Sequence, residues 1–197
     1  GTSRGLGDVY KRQINNKIIL TDPVFSPSAS PFSWFIKRYQ KPVYVLDELP
    51  HVDYILISHD HYDHLDIRSL KKISKKYPNA LFLIPKGDKD IFNKRNIKNV
   101  IEFEWWQNTD FKNHTFTFTP VKHWSARGLF DRNESLWGGW FINSKDYAIY
   151  HAGDTGYSKD FIETKIRLGA PKYALIPIGA YDPVSYTHLR AHETFHD

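Results

Sequence analysis

The stretch VDYILISHDHYDHLD, Val52 to Asp66, decides the fold. Its first half, Val52 to Ser58, is an apolar run that reads as a buried strand. Its second half, Ser58 to Asp66, packs three histidines and three aspartates into nine residues. Side chains two apart on an extended chain point the same way, so His59 and His61 leave the strand on one face. Asp63 and His64 follow where the chain turns. Neutral imidazoles and carboxylates at this density are ligands for a first-row metal, zinc foremost. A lone histidine is usually a satisfied surface or core residue. Four potential ligands between His59 and His64, at the end of a strand, are not.

Downstream, Asp66 suits an N-cap, and Ile67 to Tyr77 predicts an amphipathic helix with Ile67, Leu70 and Ile73 inward and its lysines in water. Leu81–Ile84 reads as a strand, Asp88–Asn96 as a short helix and Asn99–Phe103 as another strand. This alternation predicts an α/β fold. Trp105 and Trp106 follow, and on a strand only one of them would face the core. His114–His123 alternates as a half-exposed strand ending at His123. Trp137–Asn143 and Tyr147–Asp154 predict paired strands turning at Ser144-Lys145, with Asp154 at the end of the second. His151 lies three before Asp154, so it is expected on the opposite face, in a structural role. Lys159–Gly169 predicts a helix with a glycine stop, and Tyr173–Gly179 a last strand.

Upstream, Ile14–Pro23 reads as a strand, with Asp22 expected to cap a turn before the proline. The aromatic and basic stretch from Val24 to Pro42 is either a functional loop or one that tucks its aromatics into the core. Residues 1–13 and 183–197 carry DVYKRQ and PVSYTHLRAHET, which resemble translated sequencing adapters. They are expected to lie outside the fold, which leaves residues 14–182 as one partial domain and discounts His188, His192 and His196 as ligands.

The chain has 197 residues, 41% hydrophobic and 16% aromatic, enough for a sizeable core. It has no cysteine, which excludes disulfides and thiolate metal sites. Its net charge of +5 is mild. That excess fits phosphate-bearing substrates or anionic lipid, and it is far from a nucleic-acid footprint.

The chemistry falls at three strand ends, His59/His61/Asp63/His64, then His123, then Asp154. Loops at one edge of a sheet converge, so two metals can be served. His59, His61 and His123 suit a tetrahedral position, and Asp63 and His64 a second, with Asp154 bridging. Two zinc ions held this way would turn their shared water into a hydroxide nucleophile at neutral pH.

The chain resembles the metallo-β-lactamase-fold hydrolases, whose HxHxDH motif is SHDHYDHLD here. It resembles most the branch containing N-acylphosphatidylethanolamine-hydrolysing phospholipase D, through LTDPVFS, HWSARGLFDRN, HAGDTGYSKDF and IPIGAYDP. The resemblance implies an αββα sandwich, incomplete at both ends, with the metals at one edge of two sheets. It supports the six ligands and implies a seventh, a second-site histidine after GAYDP that this sequence lacks. In HWSARG, Arg127 is a candidate for holding a phosphate oxygen and Trp124 for lining the site. Asp131 and Asn133 are expected to fix the loop.

The expected function is a dinuclear zinc phosphodiesterase acting on a phospholipid-like substrate. Two alternatives stand beside it. One is hydrolysis of another ester, a lactone or a nucleic-acid phosphodiester. The other is a truncated, inactive metal-binding piece. A small-molecule or phospholipid partner is expected, with peripheral membrane contact left open and no nucleic acid. The expected location is cytoplasmic, with membrane association left open.

Overall fold

The computed structural model describes residues 10–14, 17–26, 45–128 and 130–177. The first sheet contains β1 (Tyr10–Ile14), β2 (Lys17–Thr21), β3 (Tyr54–Leu56), β4 (Leu81–Pro85) and β5 (Val100–Phe103), in that spatial order. β1 is antiparallel to β2, and β2 to β5 run parallel. The second sheet has the order β10 (Tyr173–Leu175), β9 (Ala148–His151), β8 (Gly139–Ser144), β7 (His114–Thr119), β6 (Asn108–Phe111). Its members are antiparallel except for the parallel β10–β9 pair. Helices α1 (Ile67–Lys76), α2 (Lys89–Asn93) and α3 (Asp160–Leu168) complete the order.

Strand alternation builds four layers. Ile18, Leu20, Ile55, Ile57, Phe82 and Ile84 point to one side of the first sheet and pack under Leu70 and Ile73 of α1 and Phe92 of α2. Ile19, Tyr54, Leu56 and Leu83 point to the other side, where they meet Phe116, Phe118, Trp140 and Ile142 of the second sheet. Phe141 and Tyr150 face outward from that sheet against Phe161 of α3. The arrangement is the αββα sandwich. Asp66 caps α1 through the Arg68 N–H at 3.2 Å, and Lys71, Lys72, Lys75 and Lys76 lie in water.

Several expectations need correction. Tyr10–Gln13, counted among residues outside the fold, form most of β1. The edge of β2 that β3 leaves open offers N–H and C=O groups, and residues 10–14 pair with it in antiparallel register. β7 is buried on nearly its whole length rather than half-exposed, because β6 and β8 flank it and Thr119 turns its hydroxyl onto that of Tyr150. Trp105 and Trp106 are in neither a strand nor the core. They make the turn into β6, with Trp106 in the left-handed region at φ 68. The stretch from Val24 to Pro42 lies, beyond Ser26, outside the described residues, as do residues 183–197.

Trp140 is fully buried between Phe103 and Phe118, and its Nε1 donates to the Ile57 carbonyl of the other sheet at 2.8 Å. Trp140→Ala is expected to cost about 3–5 kcal/mol, read by denaturant unfolding.

Asp88 precedes α2 with its side chain fully buried and no well-formed hydrogen bond to either carboxyl oxygen. Burial, helped by Asp60, pushes this carboxyl up to about 8 against the pull of Ser135 and Arg127. Folding therefore retains a proton that the unfolded chain, with an ordinary carboxyl near about 4, gives up. Stability from this group is lost as pH rises from about 4 to about 8. Asp88→Asn should then be increasingly stabilising between pH 5 and pH 9 relative to the parent. Denaturant midpoints across that range check it, and a constant difference would sink it.

Candidate metal centre

Strands β2, β3, β7 and β9 all present their carboxyl ends at one edge of the sandwich. After β3 the chain turns tightly, with the His64 and Leu65 N–H groups both donating to the His61 carbonyl. The turn brings His59 Nε2 to 2.9 Å from His61 Nδ1. From the loop after β7, His123 Nε2 lies 3.2 Å from His59 Nε2 and 3.3 Å from His61 Nδ1. Tetrahedral zinc–nitrogen bonds of about 2.0–2.1 Å require ligand-to-ligand edges of about 3.3 Å. A neutral imidazole carries a single N–H, so three nitrogens facing one point cannot all be satisfied by one another. A cation at that point satisfies them.

A second group adjoins the first. His64 Nε2 lies 3.4 Å from Asp154 Oδ2 and 3.9 Å from Asp63 Oδ2. His59 closes this group as well: one ligand atom each from His59, His64 and Asp154 lie within 4.8 Å of one another. Asp63 stands at its rim. The six residues expected as ligands therefore converge, with His59 bordering both groups.

The electrostatics fit a cation. Burial, then the neighbouring imidazoles, hold His59 well below the ordinary histidine value. Burial alone dominates at His123, which falls to about 4, and it also lowers His61. These rings are neutral at neutral pH, the form that ligates. Burial opposes charge on His64 too, but Asp154, Asp63 and Asp22 outweigh it and raise that imidazole well above its usual value. Burial would raise Asp154, yet His64 and then His123 hold it at about 2. The second group is thus a pocket of negative potential.

Behind the ligands lies a residue that sequence reasoning placed wrongly. Asp22 is not a turn cap: it is buried and ionised, with its backbone at φ 43. It accepts from Ser58 N and Ser58 Oγ, both at 2.7 Å, from His64 Nδ1 at 2.9 Å and from His151 Nε2 at 3.0 Å. The bond to Nδ1 leaves His64 Nε2 facing Asp154. Ser58 Oγ in turn lies 2.8 Å from His59 Nδ1, so one carboxylate orients both rings. His151 is likewise not on the opposite face from the site. β9 ends at His151, and Gly153, at φ 62, breaks the alternation before Asp154. A Cβ on Gly153 would come within 2.6 Å of Ser58 Cβ.

Trp124 is half-buried, its ring centroid 4.3 Å from that of His61, and it walls that side of the site. Arg127, a candidate for phosphate binding, spends its Nη1 on the Asp60 and Leu65 carbonyls. Asp131 accepts from the Arg127 and Gly128 N–H groups, and Asn133 is bonded twice to Ser125, which fixes the loop. Asp60, between His59 and His61, was missed. It accepts from the Ala126 N–H at 2.9 Å, and burial raises its carboxyl to about 6 despite Arg127.

A profile of the beta-lactamase superfamily domain matches residues 17–196. The chain belongs to the beta-lactamase superfamily. Within that superfamily it is 40% identical over 176 residues to the mitochondrial N-acyl-phosphatidylethanolamine-hydrolyzing phospholipase D of Saccharomyces cerevisiae, covering 86% of this chain and 37% of the relative. It is 37% identical over 176 residues to N-acyl-phosphatidylethanolamine-hydrolyzing phospholipase D 1 of Caenorhabditis elegans, covering 83% of this chain and 49% of the relative. The chain thus spans less than half the length of either. In fold it is similar to Igni18, a metallo hydrolase from Ignicoccus hospitalis, with a TM-score of 0.66 at 22% identity, over 95% of this chain and 70% of that one.

In this superfamily member, Asp22→Asn keeps the shape but turns an acceptor into a donor against Ser58 N–H and the two imidazoles. With zinc as the probe ion, metal affinity is expected to fall roughly 10–100-fold, measured by competition with a chelator. An unchanged affinity would remove Asp22 from the support of the site.

Proposed function

We propose that this chain carries the metal centre of a dinuclear metal-dependent hydrolase acting on phosphodiesters of phospholipid type. The observation that carries the reading is the meeting of two ligand groups that share His59 at one edge of the sandwich. His59 Nε2, His61 Nδ1 and His123 Nε2 would hold one ion. His64 Nε2, Asp154 and Asp63 would hold the other. Zinc suits this nitrogen and carboxylate set, which contains no thiolate.

Two bound divalent cations supply a hydroxide at neutral pH and neutralise charge on phosphoryl oxygens. The protein's own part is orientation. Asp22 keeps a proton on His64 Nδ1, so Nε2 is presented as the donor atom. Asp154, held ionised against burial chiefly by His64, stands beside His64 Nε2. Trp124, its ring centroid 4.3 Å from that of His61, would form one wall on that side. The choice of a lipid phosphodiester rests on the two relatives at 40% and 37% identity, whose names state that they hydrolyse N-acyl-phosphatidylethanolamine. The mild positive charge agrees with an anionic substrate. Among the described residues no helix is long and apolar enough to cross a membrane.

The test is metal content together with hydrolysis of a phosphatidylethanolamine derivative, a lactone and RNA. It is run on this chain and on a version extended to the length of the relatives. Two zinc ions per chain and selective hydrolysis of the lipid diester are expected in the extended version. His64→Ala should lose one ion and on the order of 100-fold in rate, the scale of losing one charge-stabilising group. Retention of both ions would overturn the second-site assignment, and lactone or RNA turnover without diester turnover would overturn the substrate class.

A further inference from the structure

Arg127 sits between two stretches of chain that each carry ligands. Its Nη1 donates to the Asp60 carbonyl and, at 2.9 Å, to the Leu65 carbonyl. Those two carbonyls flank His61, Asp63 and His64, so one nitrogen closes the ligand turn across its mouth. The guanidinium carbon lies 4.2 Å from the centre of the Tyr62 ring. Tyr62 returns the contact, its hydroxyl donating to the Arg127 carbonyl at 2.7 Å. The Asp60 carboxylate adds a third tie by accepting from Ala126 N–H at 2.9 Å. The loop side is held just as firmly, since the Arg127 and Gly128 N–H groups both donate to Asp131.

These bonds join residues 60, 62 and 65 to residues 126 and 127. His123 is four positions upstream of Arg127, and its ring must meet His59 and His61 from a distance of 64 and 62 residues in sequence. Nothing in the local chain fixes that distance, because β3 and β7 belong to different sheets. The ties through Arg127 and Tyr62 bridge it directly, while Lys122, on the other flank of His123, bonds to Thr155 and Gly156 after β9.

We propose that Arg127 is a positioning residue for the metal centre. It clasps the His59–His64 turn to the His123 loop and sets the spacing of the three imidazoles. The proposal rests on the metal-centre reading above and replaces phosphate binding as the role of this side chain. A planar guanidinium can bond two carbonyls and stack on a ring at once. A lysine ammonium, a compact charge on a flexible stem, can donate to carbonyls but has no plane to stack on the Tyr62 ring and no fixed fork to hold the two carbonyls in place.

The experiment compares the unaltered chain with Arg127→Lys, Arg127→Met and Tyr62→Phe. It reads Zn(II) affinity by chelator competition and the visible spectrum of the Co(II)-substituted protein. Both arginine variants are expected to lose roughly 10–100-fold in zinc affinity, the scale for groups that orient ligands. Their Co(II) bands should shift, which a purely global loss of stability would not produce in the folded, loaded protein. Tyr62→Phe removes one tie and should move both readouts in the same direction by less. If Arg127→Met does not fold, Arg127→Lys and Tyr62→Phe decide the matter. Folded variants with the zinc affinity and Co(II) spectrum of the unaltered chain would overturn the proposal alone. An unaltered chain that binds no zinc would overturn the metal-centre reading and the proposal with it.

Discussion

The Asp22 carboxylate is buried with its charge, and the fold has to satisfy it. Burial pushes against ionisation, yet His64 and His151 hold the group well below the ordinary carboxylate range. Removing one partner of such a buried charge typically costs roughly 3–5 kcal/mol. Its three partner residues come from two places in the chain: Ser58 and His64 beyond β3, and His151 at the end of β9. β2 and β9 are in different sheets, so the carboxylate pins the two sheets together at the ligand edge. The site is therefore not an ornament on a finished sandwich. The polar network that orients the ligands is also part of what aligns the layers.

Much of this was legible in the sequence. The apolar run before His59 becomes β3, the helix capped by Asp66 is α1, and the alternating strands with intervening helices do assemble into an αββα sandwich. The convergence of His59, His61, His64, His123 and Asp154 followed from placing each at a strand end, because strands running the same way deliver their ends to one edge. What escaped were features that depend on the partner rather than on the segment. Asp22 before Pro23 has the local chemistry of a turn. Its real role needs the parallel pairing of β2 with β3, which puts it beside Ser58. The one available signal was an apolar strand ending directly in a carboxylate.

Other misses have the same origin. His151 was read by extending strand alternation through a glycine with φ 62, where alternation stops. β6, NTDF, is too short and too polar to show a period, and it is held by its register against β7. Thr115, Thr117 and Thr119 looked like a solvent face, but β7 lies inside its sheet and Thr119 meets the Tyr150 hydroxyl at 3.3 Å. Arg127 was read as a candidate for holding a phosphate oxygen because nothing close in sequence shows what it bonds. Its partners are more than 60 residues away.

The ties between the sheets also shape how the sandwich can move. Trp140 Nε1 to the Ile57 carbonyl, Gly138 N–H to the Ser58 carbonyl and Leu136 N–H to the Lys86 carbonyl all gather near the ligand edge. Toward the opposite edge the layers meet through Tyr54, Phe111 and Phe116, whose contacts are non-directional. Apolar surfaces slide over one another more readily than hydrogen bonds stretch. The molecule then behaves like a vice gripped at one end, with its thermal opening and shear concentrated in the far jaws. Substitutions in those jaws can change how much the protein breathes while leaving the geometry of the histidines unmoved.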